Sequence, residues 1–152
     1  MLSAEVAGAN LVGTTNFYKL GFKSEAYKSL DNAGKLVLAS LFDIESISSL
    51  SSDNYVPPNE LFFMGGSGLS YNTVALRGYD DRSVGPVNIV RSPVGGRFLM
   101  KYGVELRYSL SQDPIPIFLM VFAEAGNLWS SFKTADIFDL KRSVGFGARL
   151  ML

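Results

Sequence analysis

The stretch RFLMKYGVELRYSL, residues 97–110, alternates position by position over about 14 residues. Phe98, Met100, Tyr102, Val104, Leu106, Tyr108 and Leu110 are apolar, whereas Arg97, Lys101, Gly103, Glu105, Arg107 and Ser109 are not, with Leu99 the one exception. A period of two places the two sets on opposite faces of a β-strand. Its length is more than twice the usual strand of about 5 to 6 residues. A chain built on such strands forms a sheet whose faces meet different surroundings.

Other segments repeat the pattern. In KRSVGFGARLML, residues 141–152, Val144, Phe146, Ala148, Leu150 and Leu152 oppose Lys141, Ser143, Gly145, Gly147 and Arg149. In FYKLGFKSEAYKSL, residues 17–30, Tyr18, Leu20, Phe22 and Ala26 oppose Lys19, Gly21, Lys23, Glu25 and Ser29. KLVLASLFDIESIS, residues 35–48, carries Leu36, Leu38, Phe42 and Ile44 on one face, but Val37, Ala39 and Leu41 blur the other. IPIFLMVFAEAGNLW, residues 115–129, is apolar until Glu124, so alternation alone assigns it no face, and SAEVAGA, residues 3–9, is a weaker strand. The expected class is all-β, an antiparallel up-and-down arrangement of about six strands.

Connections sharpen this. DNAG at 31–34 and QDPIP at 112–116 are tight turns, whereas about 45 residues join the strands on either side of Val74 and SSFKTADIFDL follows Trp129. Short and long connections alternate in this way in transmembrane barrels. The same alternation of residues also fits a soluble barrel that points its apolar face inward. Strand length, loop asymmetry and aromatics placed toward strand ends (Tyr18, Tyr27, Tyr108, Trp129) favour the membrane case, in which the apolar face meets lipid. Single-chain membrane barrels begin at about 8 strands. Six cannot close, and an open edge in lipid leaves backbone groups unpaired, so the chain is expected to be an incomplete piece of a larger barrel.

Composition narrows the chemistry. With 47% hydrophobic residues the chain has the material for an ordered fold, and 14 basic against 14 acidic residues offers no basic footprint for nucleic acid. Histidine and cysteine are both absent. That removes Ser-His and Cys-His catalysis, thiolate metal sites and disulfides, so no catalytic residue, cofactor or metal is expected. The N-terminal MLSAEVAGANLVG has no basic region followed by an apolar core, so an exported chain would be a fragment or a mature piece.

The segments FFMGGSGL, VALRGYDDRSVGP, YGVELRY, FAEAGNLW and RSVGFGARLML resemble, in order and spacing, the C-terminal barrel of the BamA family of outer-membrane β-barrel assembly factors, within the bacterial surface antigen superfamily. The resemblance covers essentially residues 1–152. It implies strands nine to fourteen of a sixteen-stranded barrel, with a long inward-folded loop at about 49–96. It further implies a place in the cell outer membrane of a Gram-negative-type bacterium. The implied partners are outer-membrane lipids, unfolded β-barrel client proteins, accessory lipoproteins of the assembly machine, and the missing barrel strands or another copy at the open edges. A two-partner secretion transporter or other conduit shares the loop signature and remains an alternative, and a soluble ligand-binding barrel is a third reading.

By the same resemblance the signature arginine is Arg77, followed by Gly78 and Tyr79, and its acidic partners on the barrel wall are Glu105 and Glu124. Alternation independently puts Glu105 on the polar face of its strand. If the hairpin pairs residues whose numbers sum to 227, Glu124 faces Gly103 and lies diagonally beside Glu105. Two such acids need a cation between them, and a guanidinium can donate to both. The plainer expectation is an exposed Arg77 paired with Asp80 or Asp81. Gly78 is read as allowing a special backbone conformation or a close approach, and Tyr79 as wedging against the wall. GGSG at 65–68 lacks the lysine of a phosphate loop, and Leu69 stands where a nucleophile elbow would need glycine. Its glycines are expected to turn the loop inward. A glycosidase dyad of Glu105 and Glu124 explains less than the arginine does.

Overall fold

The computed structural model describes residues 1–8, 16–111 and 115–150. In chain order it contains β1 (Leu2–Ala7), β2 (Phe17–Ser29), β3 (Leu36–Ser49), β4 (Phe63–Met64), β5 (Thr73–Val74), β6 (Phe98–Ser111), β7 (Ile117–Trp129) and β8 (Lys141–Leu150). Six of these make one antiparallel sheet in the order β1-β2-β3-β6-β7-β8, so every strand lies beside its sequence neighbour once the small β4 and β5 are set aside. This is an up-and-down sheet with β1 and β8 as its edges. Part of the QDPIP turn and the last two residues, Leu152 among them, fall outside the described residues.

Alternation becomes two unlike faces. On the outer face Val104, Val121 and Phe146 are 47%, 60% and 89% exposed. The inner face holds the charge, and there Lys101, Asp43 and Glu124 are only 5–7% exposed. Apolar side chains outside and ion pairs inside invert the arrangement of a water-soluble barrel.

The segment between β3 and β6 causes that burial. It folds back over the inner face, with β4 and β5 pairing in parallel within it, and it packs a core against the sheet. Met64 and Leu76 from this segment are fully buried, together with Val84, against Ile47 of β3, Leu99 of β6 and Leu128 of β7. This explains where alternation fails in the sequence. Leu99 and Ile47 are inner-face positions that lie beneath the loop, so they face neither lipid nor water.

The register agrees with the pairing rule, since β6 and β7 run from Phe98↔Trp129 through Gly103↔Glu124 to Ser109↔Phe118. It also resolves β7, because Leu119 and Val121 pair with Tyr108 and Leu106 of the outer face. Phe118, Met120, Phe122 and Glu124 therefore face inward. Two strand-end aromatics depart from the expected girdle. Tyr27 belongs to the inner face, where its hydroxyl donates to Glu25 at 2.7 Å and Arg107 lies 5.6 Å from its ring. Trp129 stays at its strand end but is buried, stacked on Phe98 at 5.8 Å.

The tight turn after β2 is held by Asp31, whose carboxylate accepts from the amides of Leu36 at 3.0 Å and Lys35 at 3.2 Å. Those bonds lower its pKa below the ordinary carboxylate value, the Leu36 amide contributing most.

Candidate functional site

Arg77 leaves the loop just after β5 and reaches two strands at once. Its Nη2 lies 2.6 Å from Glu105 Oε1 on β6 and 2.6 Å from Glu124 Oε1 on β7. Nε also donates to Glu124 Oε1 at 3.0 Å, and the Arg77 backbone amide donates to Glu124 Oε2 at 3.0 Å. Below the guanidinium, the Phe122 ring centroid is 3.6 Å from Cζ. Such a stack suits a planar, weakly hydrated cation and would not suit an ammonium in the same way.

The two acids carry further cations. Lys101 Nζ sits 3.2 Å from Glu124 Oε1 and donates to the Ala75 carbonyl at 2.6 Å. Arg107 donates from Nε at 2.7 Å, and Nη2 lies 2.6 Å from Glu105 Oε2. The chain of contacts thus runs Arg107, Glu105, Arg77, Glu124, Lys101. With three cations against two carboxylates the cluster carries a net charge of one positive. Glu124 is the most enclosed member, its side chain only 6% exposed against 32% for Arg77. A cavity of about 80 Å³ opens beside Arg77, Glu105 and Arg107, bounded by Tyr27 and Leu41. Glu124 borders it too, but the Glu105 side chain is 13% exposed, so the Glu105 end is the more open one.

Gly78 and Tyr79 extend the contact to β8. Gly78 has φ +84°, a left-handed conformation in which a side chain is strained, although an added Cβ would only touch Ser143 at 3.5 Å. Its role is thus conformation more than close approach. Tyr79 donates its hydroxyl to the Arg142 carbonyl at 2.9 Å. Arg77, Gly78 and Tyr79 together touch β6, β7 and β8.

The tightly folded loop brings glycines against backbone. A Cβ on Gly65, where φ is +127°, would lie 2.3 Å from the Asp80 carbonyl oxygen, and one on Gly66 2.9 Å from Asp81 Cα. GGSG is thus packed on the Arg77 segment itself. Asp81 accepts from Ser70 at 2.8 Å, and neither Asp80 nor Asp81 forms a described ion pair with Arg77.

Lys101, Arg107 and Phe122 join the site without having stood out in the sequence. Lys101 and Arg107 share their face with Glu105 by alternation, and the 227 register puts Phe122 opposite Glu105. The signal for all three was present. No group of three or more metal-ligating side chains occurs among the described residues.

Comparison with known proteins gives a consistent placement. Residues 1–152 match the Omp85 superfamily domain. Among solved structures, the fold is similar to the crystal structure of BamA from Haemophilus ducreyi lacking POTRA domains 1–3, with a TM-score of 0.75 and 20% identity over 97% of this chain. The match spans 31% of that BamA chain. No individual curated protein sequence matches. With residues 1–152 matched to the family domain and the barrel-like sheet to accompany the match, the chain belongs to the Omp85 superfamily.

Proposed function

We propose that this chain is part of an outer-membrane protein assembly insertase, a BamA-type barrel that folds and inserts β-barrel proteins. In it, the loop bearing Arg77, Gly78 and Tyr79 is clamped to the inner wall through Glu105 and Glu124. The reading is supported above all by the contact of Arg77 with Glu124, which receives the arginine's side chain and its backbone amide together. A surface ion pair has no need of such geometry and is worth about 0 to 1 kcal/mol.

The outer face meets outer-membrane lipids, and the edges β1 and β8 pair with further strands of a larger barrel, because unpaired strand backbone in lipid costs several kcal/mol per group. Unfolded clients and accessory lipoproteins act on the complete assembly. The role of Arg77 is structural, since it holds the loop and hence the spacing of β6, β7 and β8 while strand exchange with clients occurs elsewhere. The cell outer membrane of a Gram-negative-type bacterium is the corresponding location.

The test is Arg77→Ala in the encoded protein, followed by heat-modifiable electrophoretic migration and by assembly of client barrels in cells. Loss of both supports the reading. Normal migration with normal client assembly contradicts it, and altered migration with intact client assembly but impaired export of a soluble substrate would favour the secretion-transporter alternative.

A further inference from the structure

A second ion pair holds the other limb of the same loop, and it shares no residue with the Arg77 cluster. Lys19, on the inner face of β2, places Nζ 2.5 Å from Glu60 Oε2, with the two side chains only 15% and 18% exposed. Glu60 ends the short 3-10 turn Pro58–Glu60 that begins the loop's descent onto the sheet. The Lys19 ammonium also sits between two rings, 5.7 Å from the centroid of Phe17 and 5.9 Å from that of Phe62. Lys19 had another acid within its own sheet, since Glu5 of β1 is its cross-strand partner. It reaches the loop instead.

The limb that Glu60 belongs to is built to be held there. Phe62 is 4% exposed, and it exchanges backbone hydrogen bonds with Gly96 at 3.0 and 2.9 Å, so both ends of the loop are tied at one level. Phe63 donates its amide to Asn72 at 2.8 Å, and the Asn72 side chain returns a bond to the Asn59 carbonyl at 2.9 Å. Pulling Glu60 away from Lys19 would thus take the ammonium from its place near both rings and loosen Phe62 in the buried cluster that also holds Phe17. Among the described residues, no hydrogen bond or ion pair joins this limb to Glu105 or Glu124, whose partners are Arg77, Lys101 and Arg107.

We propose that Lys19 and Glu60 are a second, independent latch, a pair of positioning residues that fixes the loop's leading limb to β2. The loop is then a two-point brace across the sheet, tied to β2 at one end and to β6, β7 and β8 at the other. Its leading limb stays seated on the inner face when the Arg77 contact alone is removed. The inference does not depend on the insertase reading, because it concerns what holds the loop whatever the barrel does.

Amide hydrogen exchange on the encoded protein in lipid bilayers tests it. In Lys19→Met and in Glu60→Gln the Phe62 and Phe63 amides should exchange about 5- to 10-fold faster, the size of effect that loss of one partly buried pair produces on local opening. The Arg77 amide should keep its wild-type protection. Exchanging the charges, Lys19→Glu with Glu60→Lys, should bring Phe62 and Phe63 back to within about twofold of wild type, and Lys19→Arg should leave them protected. Arg77→Ala should leave Phe62 and Phe63 protected, and only Arg77→Ala with Lys19→Met should release both limbs. Unchanged exchange in both single variants, no rescue by the charge exchange, or deprotection of Phe62 by Arg77→Ala alone would each overturn the proposal.

Discussion

At the scale of single residues, Glu124 is the centre of the cluster and Glu105 its periphery. Glu124 faces the Arg77 amide, Nε and Nη2 as well as the Lys101 ammonium, and it is the more enclosed acid. Glu105 has two guanidinium partners and is the more exposed of the two acids. Glu124→Gln should therefore lower stability by about 2 to 3 kcal/mol, and Glu105→Gln by roughly 1 kcal/mol. Urea unfolding from lipid vesicles compares them, and equal losses would contradict the ranking. Arg77→Lys should behave nearly as badly as Arg77→Ala, since an ammonium can bridge two carboxylates, as Lys23 does between Asp43 and Glu45, but has no planar fork to lie on Phe122 at the same time. The glycines separate into two kinds by the same measurement. Gly78→Ala should cost on the order of 1 to 2 kcal/mol through its backbone conformation, whereas Gly65→Ala, with a Cβ driven into the Asp80 carbonyl, should cost roughly 3 kcal/mol or more.

At the scale of elements, the two faces of the strands make opposite predictions. Val121 is exposed on the outer face toward the middle of β7, so Val121→Lys should cost roughly 2 to 4 kcal/mol in a bilayer if it faces lipid, and close to nothing if it faces water. Folding yield and unfolding free energy in vesicles distinguish these outcomes. The turn after β2 adds a pH dependence. Its Asp31 carboxyl has a lowered folded-state pKa, so the stabilisation is complete above the unfolded value and fades as pH falls through the folded one. Exchange of the Leu36 amide, normalised for its intrinsic pH dependence, should accelerate over that acidic window, and Asp31→Asn should show the weakened turn already at neutral pH. Strand identity was legible in the sequence because alternation is local. Strand faces were legible only where the two environments differ along the whole strand. Leu99 broke the pattern because a distant loop turns part of the polar face into a core, where Leu99 is buried with Ile47 and Leu128, a long-range packing effect that no window of residues contains. Tyr27 misled for the related reason that an aromatic at a strand end can stack with an inner-face cation as readily as it can sit at a lipid headgroup. The small strands β4 and β5, two residues each, leave no periodic signal at all.

At the scale of the whole molecule, the sheet and its loop form one unit in which the covering segment supplies what a single open sheet lacks. Six strands leave two bare edges and one polar face, and the loop covers that face with an apolar core flanked by ion pairs to β2, β6 and β7. The site was partly legible beforehand. Alternation fixed the face of Glu105, and a pairing rule placed Glu124 beside it. That Arg77 from a loop 28 residues before Glu105 and 47 before Glu124 meets both came from the family resemblance, because loop-to-wall contacts leave no spacing signature. The central claim is that Arg77 and Glu124 act as one physical unit that holds the loop to the wall. A double-mutant cycle on Arg77→Ala and Glu124→Gln, read as unfolding free energy of the encoded protein in lipid bilayers, tests it most directly. A coupling of about 1 to 3 kcal/mol is expected, the double variant being little worse than either single one. Additive losses within about 0.5 kcal/mol would contradict it.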